Sequence, residues 1–294
     1  MNALIYCLAY PILYIISRLP FSLFYILSDG LCFIFYRVFG YRKKVVRSNL
    51  KLTFPNLNKK DYRDIERNFY GHLVDLFLEI IKSMSMEKYE MLERFHVKNI
   101  EVLTQFEKEG RSAFITCGHY ASWEWMMSLG YHMSHSGYGI YRPIKNPYFD
   151  RLINQIRNRH DAFMIPQKIA ADIIRDKEKK NERGVYGFAS DQSPRLSSKS
   201  YWRTFMGIDV PVFTGAERLA RELNIPVVYG KIRRVKRGYY ELEFKIISNQ
   251  SKDTPQNYIT DIYTELLEQQ IREEPSQYFW THKRFKHARL KKGL

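Results

Sequence analysis

The sequence predicts an α/β protein in which a central, mostly parallel or mixed sheet is flanked by helices, with a hydrophobic membrane-associating helix at the N-terminus. Three observations indicate this class. Short apolar runs alternate with amphipathic helical patterns along most of the chain. Polar residues stand directly after several of the predicted strands, where an α/β sheet normally binds its ligands. The longest apolar stretches lie before residue 40.

Length and composition favour one large domain with an N-terminal extension. The chain has 294 residues, and no Gly/Ser-rich or Pro-rich linker divides it after residue 60. We therefore expect a membrane-anchoring segment over residues 1–48 and a globular domain over residues 49–294. We also expect the domain to fold without that segment, because its predicted core elements begin near residue 60.

The charge narrows the choice of partners. With 47 Lys and Arg against 31 Asp and Glu, the formal net charge is +16, which suits nucleic acid, an anionic membrane surface or an acidic protein. Cys7, Cys32 and Cys117 have no zinc-knuckle spacing, and no recognition-helix signature is present, so nucleic acid is not the expected partner. Three scattered cysteines form no disulfide framework, which fits a reducing compartment.

The N-terminus is apolar in two stretches. Residues 3–16 would form a helix of about 21 Å, which is short for a bilayer crossing. Residues 19–39 are interrupted by Pro20, Asp29 and Gly30, and basic residues follow up to position 47. This order fits a segment inserted in the cytoplasmic leaflet, although a single span and an amphipathic helix packed on the core remain alternatives. A signal peptide is disfavoured because no basic residue precedes Arg18 and no small-residue cleavage site follows.

Periodicity predicts the elements of the body. Apolar residues at helical spacing indicate an amphipathic helix over 61–88. The predicted strands are 112–117, 137–141, 163–165, 185–190, 226–232 and 239–247, and further helices are predicted over 152–160, 168–180, 214–224 and 256–273. Residues 236–238 should form the turn between the last two strands. Thr214 and Glu217 have capping-box spacing at the start of one helix.

The stretch from Ser112 to Trp125 carries the strongest chemical signal. The buried strand ends at Gly118, so His119 lies at the mouth of a strand, and Ser122 is a candidate N-cap for a following helix. Glu124 would then lie in the first turn and point back at the imidazole. A carboxylate that holds one ring nitrogen leaves the other free to take a proton. The alternative is a structural histidine beside an ordinary first-turn glutamate.

Several segments in succession resemble one protein family. They are G-H-Y-A-S-W-E at 118–124, Tyr141-Arg142-Pro143 with Asn146-Pro147, Asp191-Gln192, Phe205-Met206-Gly207 leading to Thr214, Ile225-Pro226-Val227-Val228, and W-T-H-K-R-F-K at 280–286. In order and content they resemble the bacterial lipid A biosynthesis acyltransferases, the lauroyl and myristoyl transferases of the wider glycerolipid acyltransferase superfamily. The likeness covers nearly the whole chain. One departure is visible, since the family usually has Gly, and often Asn, where this chain has Ala121 and Ser122.

The resemblance implies that residues 49–294 form an acyltransferase domain at the cytoplasmic face of the bacterial inner membrane. It would move a fatty acyl chain from an acyl carrier protein thioester to a hydroxyl of a phosphorylated lipid A precursor, without a cofactor. His119 would be the general base and Glu124 its orienting partner. Two alternatives are an acyltransferase for another acceptor, such as an aminolipid or glycolipid, and a non-enzymatic basic membrane-surface protein.

Three further residues are candidates for substrate binding because they also follow predicted strands. Arg142 offers a guanidinium fork suited to a phosphate, with a strand-end ion pair as the alternative. Asp191 and Gln192 could bind polar groups of the acceptor or stabilise the active-site loops, and the sequence does not rank these roles. We expect no metal site, because His132 and His135 lack convincing partners.

Overall fold

The structure is a computed structural model of the chain, and it describes residues 2–288. The α-helices in this part are α1 Asn2–Arg18, α2 Phe21–Phe33, α3 Lys43–Thr53, α4 Lys59–Lys82, α5 Lys88–Arg94, α6 Glu101–Lys108, α7 Pro147–Arg159, α8 Ala170–Lys179, α9 Gly215–Leu223 and α10 Tyr258–Glu273. The strands are β1 Phe95–Val97, β2 Ala113–Cys117, β3 Ser136–Tyr141, β4 Ala162–Pro166, β5 Gly184–Ala189, β6 Tyr201–Phe205, β7 Ile208–Val212, β8 Val227–Lys236 and β9 Tyr239–Ser248. A π-helical turn covers Ile34–Val38, and 3-10 helices cover Trp123–Tyr131, Ser251–Asp253 and Pro275–Gln277.

Seven strands form one mixed sheet in the order β1-β9-β8-β2-β5-β3-β4. Only β8 and β9 pair antiparallel within it, and the other neighbours are parallel. The predicted α/β class with a mostly parallel, mixed sheet is therefore confirmed. Strands β6 and β7 form a separate antiparallel pair, which sequence reasoning did not predict, and neither did it predict β1.

The sheet is organised around β2. All five of its residues are buried, and it lies between β5 and β8, as an apolar run in a central strand requires. Because β2, β3 and β5 are parallel, their carboxyl ends meet at one edge of the sheet. This edge carries the residues that follow each strand, namely His119, Arg142 and Asp191.

Most predicted helices are present with shifted ends. Helix α4 begins after Asn58, whose side chain accepts hydrogen bonds from the amides of Lys60 and Asp61. The capping box at α9 was wrong, because the Thr214 side chain makes no cap hydrogen bond. The Glu217 carboxylate is buried and accepts instead from the Thr260 amide at 2.9 Å, so a tertiary contact with α10 replaces the local one.

The N-terminal helices pack onto α4 through polar contacts. The Lys82 ammonium donates to the carbonyls of Ser17, at 2.9 Å, and Leu19, at 2.8 Å, at the junction of α1 and α2. The Ser28 hydroxyl of α2 donates to Asp75 of α4 at 2.6 Å. Position 48, the expected domain boundary, lies inside α3. These contacts join residues 1–48 to the rest of the protein, and the division of the chain at position 48 stays a prediction.

A cluster of acids connects α2 and α4 to the turn between β8 and β9. The Arg237 guanidinium binds Asp75 and Asp29, each at 2.7 Å for its shortest contact. Tyr25 and Tyr240 both donate to the Glu79 carboxylate at 2.9 Å. Burial raises the pKa of Glu79 to about 8, and the negative charge of Asp75 adds to this shift.

The outer surface of the N-terminal helices is apolar. Residues 21–38 form a helical stretch long and apolar enough to cross a membrane, and only 11% of that stretch is buried in the protein. Leu4, Leu8 and Ile26 are each about two-thirds exposed. An exposed apolar surface of this kind indicates association with a membrane.

Candidate active site

The loop after β2 is held against the C-terminal segment. The His119 carbonyl accepts from the Phe279 amide at 3.1 Å, and the Ala121 amide donates to the Gln277 carbonyl at 3.0 Å. Ala121 has a φ of 49°, in the left-handed region that costs a residue with a Cβ about 1–2 kcal/mol. This conformation explains physically why a glycine suits the position, and it shows that alanine is accommodated there.

The register of β2 and β5 brings His119 and Asp191 together. Cys117 pairs with Ala189, and each polar residue stands two positions beyond its strand. His119 Nδ1 lies 2.6 Å from Asp191 Oδ1. The side chain of Asp191 is 2% exposed, whereas that of His119 is 20% exposed, so the imidazole remains reachable from solvent.

Electrostatics favour the charged form of both partners. Burial lowers the pKa of His119, but the charge and hydrogen bond of Asp191 outweigh it, so the pKa is raised above its ordinary value of 6.5. Burial raises the pKa of Asp191, yet the nearby imidazolium and its hydrogen bond hold it below the ordinary value. An ionised Asp191 only accepts hydrogen bonds, so Nδ1 carries the proton of the neutral ring and Nε2 carries the lone pair. Gln192 Nε2 lies 3.3 Å from His119 Nε2.

Glu124 has a different partner from the one we expected. Its carboxylate forms a forked ion pair with Arg157 of α7, at 2.9 to 3.1 Å, and both side chains are about 15% exposed. Asp191, and not Glu124, occupies Nδ1 of His119. Ser122 does precede a helix, but the helix is of 3-10 type and the serine hydroxyl makes no cap hydrogen bond. The negative charge of Glu124 still contributes to the raised pKa of His119.

Arg142 is exposed at the end of β3, and no ion-pair partner for it is found in residues 2–288. The alternative of a strand-end ion pair is therefore not realised in this part of the chain. Gly139 of β3 pairs with Gly187 of β5, so Arg142 follows a strand that is parallel and adjacent to the strand before Asp191. Its guanidinium is thus available at the same edge as His119.

Aromatic rings line the approach to His119. The Trp123 ring centroid lies 5.1 Å from that of His119, and the Phe279 centroid lies 6.1 Å away. Phe77 packs against Phe279 at 6.4 Å and is half exposed. These rings form an apolar surface beside the base, suited to hydrocarbon.

Other reactive side chains near the site are held in inert states. Burial raises the pKa of the Cys117 thiol to about 12, which disfavours the thiolate that a nucleophile requires. Burial lowers the pKa of His282 to about 4, and its Nε2 accepts from the Ser193 amide at 3.1 Å. Among residues 2–288 no group of three or more His, Cys, Asp or Glu side chains could hold a metal ion.

Sequence reasoning missed two features of this site. It did not assign Asp191 to the imidazole, although its place after a predicted strand indicated that it lies at the same edge of the sheet as His119. It did not find Arg157, which lies 33 positions after Glu124 on α7 and carries no local motif.

Comparison with known proteins identifies the family to which the chain belongs. The family model described as bacterial lipid A biosynthesis acyltransferase matches residues 2–287. The lipid A biosynthesis lauroyltransferase of Escherichia coli (strain K12) is 26% identical over 278 residues, covering 94% of this chain and 89% of that protein. A lipid A biosynthesis acyltransferase of Haemophilus influenzae is 23% identical, with 96% and 86% covered, and the lipid A biosynthesis palmitoleoyltransferase of E. coli is 23% identical, with 83% and 79% covered.

Proposed function

Because the chain belongs to the bacterial lipid A biosynthesis acyltransferase family and is therefore an enzyme, we propose that it transfers a fatty acyl chain from an acyl carrier protein thioester to a hydroxyl of a phosphorylated lipid A precursor. The observation that carries this proposal is the geometry of His119. Asp191 Oδ1 lies 2.6 Å from Nδ1, and the imidazole is 20% exposed, so Nε2 and its lone pair are left for an acceptor hydroxyl. A base of this kind activates a hydroxyl without a serine or cysteine nucleophile.

The reaction follows from this geometry in two steps. His119 Nε2 takes the proton of the acceptor hydroxyl while its oxygen forms a bond to the thioester carbonyl carbon. The carbon–sulfur bond of the tetrahedral intermediate then breaks, and the imidazolium returns the proton to the leaving thiolate. Asp191 stabilises the imidazolium between these steps and fixes the tautomer. Gln192, whose amide faces Nε2 in the free protein, would give way to the hydroxyl.

Glu124 is assigned an electrostatic and positioning role. Its carboxylate is partly neutralised by Arg157, and its remaining field favours the imidazolium form of His119. The ion pair also ties the start of the 3-10 helix to α7. Loss of Glu124 would therefore lower the rate without removing the base itself.

Arg142 is assigned to the phosphate of the acceptor. Its exposed side chain follows β3 at the edge of the sheet that carries His119, and a fork of N–H donors matches a phosphate. The aromatic surface of Trp123 and Phe279 would receive the acyl chain. The acceptor and the chain would thus meet at Nε2 from two sides.

Charge supports an acidic carrier as donor. Exposed cations stand in the loop after β5 and in the C-terminal segment packed on it, namely Arg195, Lys199, Lys283 and Lys286, and the one acid of those described segments is the buried Asp191. The segments contact each other, since the Ser193 hydroxyl donates to the Arg284 carbonyl at 2.6 Å. Placement at the cytoplasmic face of the inner membrane follows from this donor, which is a cytoplasmic protein, and from the apolar N-terminal helices.

The test is transfer by the purified protein. We would mix it with acyl carrier protein thioester and a phosphorylated lipid A precursor, and identify the product by mass spectrometry. His119→Ala should abolish transfer, and His96→Ala, a substitution of an exposed histidine on β1, should not. Acylation of an aminolipid or another glycolipid, without acylation of the precursor, would change the assigned acceptor. A folded His119→Ala protein with normal turnover would remove the catalytic assignment.

A further inference from the structure

Two loops leave the sheet side by side next to the catalytic edge. Tyr141 at the end of β3 pairs with Pro166 at the end of β4, and the Gln167 amide donates to the Tyr141 carbonyl at 2.8 Å. The loop of residues 142–146 follows the first strand, and the loop of residues 167–169 follows the second. The two loops therefore begin at the same level of the sheet.

Both loops combine cations with an exposed aliphatic side chain. Ile144 is 44% exposed and Ile169 is 48% exposed. The neighbouring cations are Arg142, Lys145 and Lys168, all of them exposed, and neither loop contains an acid. We call these five residues the strand-end rim.

The rim adjoins helix α1. The Asn146 side chain donates to the Asn2 carbonyl at 3.4 Å, so the first turn of α1 lies beside the loop. The Tyr6 ring of α1 stacks on Tyr148 of α7 at 5.6 Å, and Tyr148 is itself partly exposed. Helix α1, which carries the exposed Leu4 and Leu8, thus begins beside the loop that contains Ile144.

We propose that the strand-end rim is a second membrane-contact site, at which Ile144 and Ile169 enter the head-group region of an anionic lipid surface and the three cations bind lipid phosphates. Aliphatic residues beside Lys and Arg are the composition of interfacial segments, in which apolar burial and attraction to anionic lipid act together. The proposal rests on the proposed function, in which the acceptor is a membrane lipid. Its consequence is that the catalytic edge faces the bilayer, so that an acceptor reaches His119 without leaving the lipid.

A lipid surface fits these observations better than an acidic protein does. Its contact would be continuous with the apolar α1 helix, which a water-soluble carrier would not cover. The cations assigned to the carrier lie in the loop after β5 and in the C-terminal segment packed on that loop, and β3 separates β5 from β4 in the sheet order. Carrier and membrane would then occupy different parts of the same edge.

Fluorescent labels on the full chain test this directly. The exposed Cys7 and the partly exposed Cys32 are changed to Ser, and Cys117 stays because it is buried. Ile144→Cys or Ile169→Cys then receives an environment-sensitive dye. Ile246→Cys on β9 is the matched control, because Ile246 is 50% exposed and distant in the sheet order. Each protein is bound to vesicles of phosphatidylethanolamine and phosphatidylglycerol that carry a nitroxide-labelled lipid.

The proposal expects a blue shift and nitroxide quenching at positions 144 and 169, with neither at position 246. The shift should weaken in vesicles without phosphatidylglycerol. If the protein floats with the vesicles while all three dyes stay solvent-exposed, or if it does not bind vesicles, the proposal is overturned. Shielding by acyl carrier protein in place of vesicles would assign the rim to the carrier and also overturn it. The dye fluorescence does not depend on acyl transfer. A failure of the proposed reaction would therefore show only in the transfer assay and would not change this result.

Discussion

Asp191→Asn is the substitution that most directly probes the base. The wild-type carboxylate is 2% exposed and lies 2.6 Å from His119 Nδ1, so it cannot be replaced by water without a large rearrangement. Removing the charge from such a hydrogen bond costs about 1.5–3 kcal/mol, or about 10- to 150-fold in rate. An asparagine amide can also donate to Nδ1, which would put the ring proton on Nε2 and block proton uptake. We therefore expect turnover to fall by about 10² to 10⁴, the range for loss of a general base.

The pH profile separates this role from a structural one. The base must be neutral to accept a proton, so kcat/KM should fall as pH drops through the pKa of His119. That pKa lies above 6.5 in the wild type because Asp191 outweighs the effect of burial. Without the charge of Asp191, burial dominates and the pKa falls. The acid limb of the Asp191→Asn profile should therefore move to lower pH, whereas a loss of stability alone would leave the limb in place.

The assay is thioester consumption from pH 5 to 9 on proteins whose fold is checked by circular dichroism. Asp172→Asn, on the exposed surface of α8, serves as the matched control. Asp191→Asn should add little to the defect of His119→Ala, because the two residues act as one unit. A folded Asp191→Asn protein with the wild-type rate and the wild-type acid limb would refute the reasoning.

Three further changes, two substitutions and one deletion, probe residues outside the pair of His119 and Asp191. Arg142→Ala should weaken turnover about ten- to a hundred-fold, chiefly through KM, with partial recovery in Arg142→Lys; unchanged kinetics would remove the phosphate assignment. Deleting residues 1–40 should release much of the protein from membranes. It should also lower the melting temperature, because Lys82 loses two carbonyl acceptors and Asp75 loses the Ser28 hydroxyl, and a hydrogen bond to a charged group contributes about 1.5–3 kcal/mol. An unchanged melting temperature would show that these contacts are dispensable. Glu79→Gln should remove a pH dependence of stability: with a folded pKa of about 8, Glu79 binds a proton on folding between pH 4.5 and 8, so wild-type stability should fall as pH rises through that window. The free energy of unfolding would be measured by denaturation of both proteins at pH 5 and pH 8. An equal change in this free energy between the two pH values in both proteins would contradict the prediction.

The sequence predicted the parts of the fold that depend on local periodicity. Six strands and five helices of the body were predicted from apolar runs and helical spacing, because these patterns involve residues that are close together in the sequence. The hairpin of β6 and β7 was not predicted, because β6 is only partly apolar and the hairpin lies outside the main sheet. The short strand β1 consists of three residues, too few for a period to show.

The candidate site was also predictable only in part. The positions of His119, Arg142 and Asp191 at strand ends were predictable from the ends of the apolar runs. The contact between His119 and Asp191 was not predictable, because it depends on how β2 and β5 pair in the sheet. The two residues are 72 positions apart in the sequence. The ion pair of Glu124 with Arg157 was also not predictable, because Arg157 lies on a distant helix. A guanidinium donates two parallel hydrogen bonds to a carboxylate, whereas one imidazole nitrogen donates only one.

The ion pair between Asp29 and Arg237 has a consequence for biosynthesis. Its partners are 208 positions apart, so at about 5–20 residues per second the ribosome makes Arg237 roughly 10–40 s after Asp29. During that interval α1 and α2 are outside the ribosome, or close to its exit, without the β8–β9 turn that later holds them. The apolar helices can therefore reach a bilayer while translation continues, and the rest of the chain would assemble on helices already at the membrane.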